Sequence, residues 1–123
     1  MLPELLALLA TSRHDDIQTA CLVASARIGS RLEGGARGPV LRAIRKKLSA
    51  PSLEVAETAV LSLGILGDPE GLPTLIAFLG GSRDAAALAG RGDVPMRMRA
   101  FAAYGLGLMA QAATDDADGI ARR

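Results

Sequence analysis

His14, next to Asp15 and Asp16, is the one place in the chain where an imidazole lies beside carboxylates, the raw material of a general base or a metal ligand set. It is also the only histidine, and Cys21 is the only cysteine, so no multi-histidine metal centre and no disulfide framework can be assembled. At the start of a helical run, His14 reads as a surface or capping residue. Cys21, between Ala20 and Leu22, reads as a small buried hydrophobe. Ser25 and Ser62 fall on helical segments with no base at a spacing that would activate a nucleophile. Gly34-Gly35-Ala36-Arg37-Gly38 lacks the Lys-Ser/Thr that completes a phosphate loop and follows no strand. Arg91-Gly92-Asp93 spells an adhesion tripeptide, but in a Gly-rich segment three letters carry no weight. No catalytic residue, metal site or cofactor is assigned.

Charge gives one more candidate. Seven basic residues lie between Arg27 and Lys47 against a single acid, Glu33, whereas Glu54 to Glu70 holds four acids and no base. Arg37, Arg42, Arg45, Lys46 and Lys47 form a candidate phosphate or ionic patch. No aromatic residue lies within the segment to stack a base, and the whole chain carries a formal net charge of only +1, so no general field favours nucleic acid. A solvated face or an ionic contact with another subunit is the preferred reading. Nucleic-acid binding through residues 27–47 stays as an alternative.

The elements that would position these groups are helical. Ala, Leu and Gly supply 56 of 123 residues, and only Phe78, Phe101 and Tyr104 are aromatic. Small and unbranched side chains suit close-packed helices; sheets favour β-branched and aromatic ones. An internal repeat is visible. Leu2-Pro3-Glu4-Leu5-Leu6-Ala7-Leu8-Leu9 aligns with Leu72 to Leu79, and Ile17 to Ala24 aligns with Val55 to Ser62 at an offset of 38. Val55 to Leu66 then aligns with Met98 to Met109 at an offset of 43. Each unit is a short helix followed by a longer one. Short helices are expected at about 3–11, 39–49 and 70–79 and long ones at about 14–28, 53–66 and 95–112. Pro3, Pro39 and Pro73 mark first turns, Asp68-Pro69-Glu70 reads as a capped start, and Ser12 to Asp15 as a capping-box variant. Gly29, Gly67 and Gly80-Gly81 read as stops. The units run over roughly 1–29, 38–67 and 68–113, with an inserted loop at 80–94. A polar tail at 114–123 is expected to fray.

On the long helices, Val55, Ala56, Ala59, Val60, Leu63, Leu66 and Gly67 form an inward stripe, and Ala56, Ala59 and Gly64 would allow a neighbouring helix to come close. The opposite, outward ladder is Glu54, Glu57, Leu61 and Ile65. The repeat offsets carry it to Asp16, Thr19, Val23 and Arg27 in the first unit and to Arg97, Ala100, Tyr104 and Leu108 in the third. If the units stack in register, these columns share one surface, of which Asp16, Glu54, Glu57, Arg97 and Tyr104 are the candidate partner contacts. Ala100 to Met109 has no polar side apart from the Tyr104 hydroxyl, so Phe101, Tyr104 and Leu108 are candidates for self-association, or for contact with more of the same chain.

Ala59 to Leu79, Ala-Val-Leu-Ser-Leu-Gly-Ile-Leu-Gly-Asp-Pro-Glu-Gly-Leu-Pro-Thr-Leu-Ile-Ala-Phe-Leu, resembles the HEAT-like repeat of the phycobilisome-lyase type: an Ala-rich helix ending in Leu-Gly, then Gly-Asp-Pro, then a short Leu-rich helix. The match is best over Leu53 to Phe78. It loosens outward, where Ser25-Ala26 stands for Leu-Gly in the first unit and Ala110 for the closing Gly-Asp-Pro in the last. The resemblance implies an all-α, armadillo-like superhelix (an α-solenoid) of about three helix pairs, with the second helices lining its concave side. Together these readings give a non-catalytic protein–protein interaction scaffold, part of a larger protein or assembly, with a protein partner and possible homo-oligomerisation through the third long helix. A bilin-lyase-like enzyme or accessory subunit is the alternative that the family label brings. The acidic N-terminus carries no secretory signal, and the longest apolar run is about 14 residues where a bilayer span needs roughly 20, so a cytoplasmic chain without a membrane segment is expected.

Overall fold

A computed structural model describes residues 1–121, which form seven α-helices and no strand. They are α1 (Leu2–Thr11), α2 (Asp15–Gly29), α3 (Gly38–Lys47), α4 (Leu53–Leu66), α5 (Leu72–Gly80), α6 (Arg83–Leu88) and α7 (Met96–Ala121), with 3₁₀ turns at Gly34–Arg37 and Pro69–Gly71. None of them is long and apolar enough to cross a membrane.

Local chemistry accounts for most of the boundaries. A proline occupies the first turn of α1, α3 and α5, where its missing N–H leaves no bond unmade. The Asp68 carboxylate accepts from the Glu70 N–H at 2.8 Å, starting the 3₁₀ turn that leads into α5. Ser52 caps α4 in the same way through the Val55 N–H. Gly67 ends α4 in the left-handed region at φ 70°, a conformation that costs a side-chain-bearing residue about 1 kcal/mol or more.

Several boundaries depart from the sequence expectation. Ser12 does not build a capping box. Its hydroxyl accepts from the His14 N–H at 3.1 Å, and α2 starts from His14 with no side-chain cap. Gly29 is not a stop but the last, buried residue of α2, where an added Cβ would lie 2.7 Å from a Leu66 methyl. The expected loop at 80–94 holds α6, capped by the Ser82 hydroxyl on the Ala85 N–H at 3.1 Å. The expected fraying tail is helical to Ala121, while Arg122 and Arg123 lie outside the described residues. The repeat gives the reason for that extension. Ala110 occupies the position of Gly67 and supplies no left-handed stop, and Gln111-Ala112-Ala113 directly behind it are good helix formers.

The long helices carry the packing. α4 lies against α2 and against α7; α1 packs on α2, α3 on α4, and α5 on α7. Leu9, Leu22, Ile44, Val60, Leu63, Leu75, Phe78 and Met98 are among the fully buried residues of one continuous core. At the junction of α4 with α7, Gly64 and Gly105 meet backbone to backbone: a Cβ built on Gly64 would lie 2.3 Å from the Gly105 Cα. A side chain at position 64 would not fit that approach, whereas a Cβ built on Gly105 would lie 3.4 Å from the Gly64 Cα, an ordinary contact.

Candidate functional site

Three pairs of side chains related by the repeat offsets converge on one surface. Val23 and Arg27 of α2, Leu61 and Ile65 of α4, and Tyr104 and Leu108 of α7 line a common open groove of about 430 Å³, with Gly64 in its wall. A second depression, formed by Leu61, Ala100, Phe101 and Tyr104, adjoins it through the shared Leu61 and Tyr104. The groove is apolar except for the exposed Arg27 guanidinium and the Tyr104 hydroxyl. Its shape follows from the small residues at the helix contacts: Gly64 and Gly105 draw α4 and α7 together, and the larger side chains one turn away then rise on both sides.

The other candidates fall in different places. Asp16, Glu54 and Arg97 are exposed at the starts of the three long helices, and none of them lines the groove. Glu57, expected to face outward, is buried, with its side chain only 3 % exposed. One carboxylate oxygen, Oε2, lies 3.2 Å from the Arg97 guanidinium, and the other, Oε1, has no hydrogen-bond partner. The α7 helix covers the position that was read as free. Its equivalents under the repeat are Thr19 and Ala100, neither of which is charged, so this ion pair belongs to the α4–α7 junction alone. Phe101 is half-buried against the core and Leu108 half-buried in the groove, whereas Tyr104 is 64 % exposed. Of the three self-association candidates only Tyr104 stands free.

The basic segment divides in two. Arg37 Nε donates to the Leu32 carbonyl at 2.8 Å and Arg45 to the Glu70 carbonyl at 3.1 Å, so both close loops. Arg42, Lys46 and Lys47 remain, and all three line a separate groove between α1 and α3. Other arginines act as ties as well. Arg91 donates to the Ala50 and Pro51 carbonyls at 3.1 and 3.4 Å, and Arg99 to the Leu79 carbonyl at the end of α5 at 3.0 Å. His14 is exposed, and Asp15 accepts from the Ser52 hydroxyl at 2.8 Å, linking the starts of α2 and α4. Cys21, Ser25 and Ser62 are buried, and neither serine hydroxyl has a partner. Among the described residues no group of three or more His, Cys, Asp or Glu is arranged to hold a metal ion.

Sequence reasoning overlooked Ser52 as a cap and link, Gly105 as the partner of Gly64, and Arg91 as a tie. Ser52 had a readable signal, a hydroxyl residue directly before an apolar helical run. The other two depend on long-range contacts that no local pattern reports. In comparisons with known proteins, no family model, no curated protein and no solved structure matches the chain.

Proposed function

We propose that this chain is a non-catalytic protein-interaction scaffold of HEAT-like helix pairs stacked as an α-solenoid, and that a helical or extended segment of a protein partner lies in the groove across α2, α4 and α7. The observation that carries this reading is the convergence of Val23, Leu61 and Tyr104, and of Arg27, Ile65 and Leu108, on one surface. Residues at the same position of successive units lining one groove is what stacking in register would produce. Apolar side chains with one cation and one phenol suit a partner that presents an apolar strip with an acid or carbonyl at its edge.

The outer flank of α7 supports the further reading that the chain works within an assembly. Ala100, Ala103, Tyr104 and Gly107 are exposed there, and their equivalents in α4 are Glu57, Val60, Leu61 and Gly64, of which Glu57, Val60 and Gly64 are buried. That flank matches the face with which α4 receives α7, so a further helix of this chain or of a second copy is its natural cover.

Two measurements test the two parts. Leu61→Asp with Tyr104→Asp should remove the proteins captured from a lysate by the immobilised wild-type chain while leaving the helical circular dichroism intact. An unchanged captured set would remove the groove from the proposal. Light scattering should show association that Ala103→Glu abolishes. A strict monomer at tens of micromolar would confine the scaffold to single copies.

A further inference from the structure

A second groove, sharing no residue with the first, runs between α1 and α3 and encloses about 470 Å³. Its floor is apolar: Leu6, Leu9 and Ala10 from α1 face Pro39 and Ala43 from α3, and Leu9 is only 1 % exposed. Its rim is cationic, from Arg42, Lys46 and Lys47 at i, i+4 and i+5 along α3. No acid lines it. Glu4, the only acid of α1, is engaged by the Met1 ammonium at 2.7 Å, and that hydrogen bond holds its carboxyl below the usual carboxylate range. α3 itself contains no acid, and the partly spent Arg45 leaves three cations along one edge of an apolar trough.

We infer that this groove is a docking site for an acidic amphipathic helix of a protein partner, whose apolar stripe fills the trough while its flanking carboxylates meet Arg42, Lys46 and Lys47. Charge complementarity identifies the occupant, and the dimensions agree. α1 and α3 have 10 residues each and are therefore about 15 Å long, the length of about three turns of a helix laid between them. A nucleic acid would use the cations but not the floor, and no aromatic side chain is present to stack a base. A lipid surface would need apolar side chains that protrude, whereas Leu9 lies at the bottom of a trough that a flat bilayer cannot fill.

The test uses the whole chain and a fluorescein-labelled stapled peptide of about 15 residues with Leu at helical a and d spacing and Glu on the flanks. Saturable binding is expected. Arg42→Glu with Lys46→Glu should weaken it by about tenfold or more. Ala10→Trp, which fills the floor, should weaken it by a similar factor. All three positions are exposed, so the variants should keep the wild-type fold, with circular dichroism as the check. Leu61→Asp should leave the affinity unchanged, which separates this site from the groove on the long helices. The inference is overturned if the peptide fails to bind, or if only the charge reversal matters. It is equally overturned if duplex DNA or phosphatidylserine vesicles bind more tightly than the peptide at the same ionic strength.

Discussion

Gly64 in α4 and Gly107 in α7 occupy the same position of the repeat, 43 residues apart. Around Gly64 the Gly105 backbone leaves no room for one added carbon; around Gly107 nothing lies within 4 Å. The contrast extends to the whole helices. α4 is enclosed by α2, α3 and α7, and nine of its residues are buried. α7 buries Met98, Ala102 and Gly105 on one side and exposes Ala100, Ala103, Tyr104 and Gly107 on the other. Residues of one type at equivalent positions are therefore under opposite constraints, set by whether a next helix is present and not by the helix itself.

Substitutions can break or sharpen this contrast, and the largest effect belongs to Gly64→Ala. Overpacking costs about 1–3 kcal/mol, and a backbone partner cannot rotate away, so the upper end applies even after the gain of about 1 kcal/mol for replacing a helical glycine. A net loss of about 2 kcal/mol in urea titration is expected; a stabilised variant would show that α4 and α7 do not touch here.

Next comes the Glu57–Arg97 ion pair, buried on its acidic side only. Arg97→Leu strands the Glu57 carboxylate in the junction and should cost about 1–2 kcal/mol, less than for a fully buried pair because the Arg97 side chain is 73 % exposed. Glu57→Leu should cost less, since it leaves only an exposed cation. The reverse order of the two midpoints would mean that Glu57 is not desolvated. Gly107→Ala should then stabilise by about 0.5–1 kcal/mol through helix propensity alone, provided the flank is bare in the state measured. If that gain vanishes at high protein concentration, the flank is being covered by another copy. The smallest effect is Ser62→Ala, expected to be neutral to slightly stabilising in the same titration because the hydroxyl has no partner to lose.

How much of this could be read in advance follows from what repeats and what does not. The offsets of 38 and 43 place Val23, Leu61 and Tyr104 in one column, and the prolines and Gly67 mark boundaries, because these features are local and recur. Glu57 was misplaced because its neighbour Arg97 sits on a helix 40 residues away, and neither equivalent position carries a charge to hint at the pair. Arg37 and Arg45 were grouped with Arg42 on charge alone, which cannot tell a free guanidinium from one already bound to a carbonyl. In the segment 80–94, four glycines hide α6, although Ser82 followed by Arg83-Asp84-Ala85-Ala86-Ala87-Leu88 is itself a capped helical pattern.

That same segment has a consequence for anyone who would lengthen or shorten the chain by whole units. Ala85, Ala86 and Ala89 plug the core, and Arg91 buckles the turn between α3 and α4 from outside. Excising Ala85 to Ala89, the five residues that separate an offset of 43 from one of 38, would leave a hole where the plug had been and pull Arg91 away from the two carbonyls it holds. A tandem array concatenated from the shorter unit must therefore bring its own stopper for that end, or leak water into its last joint.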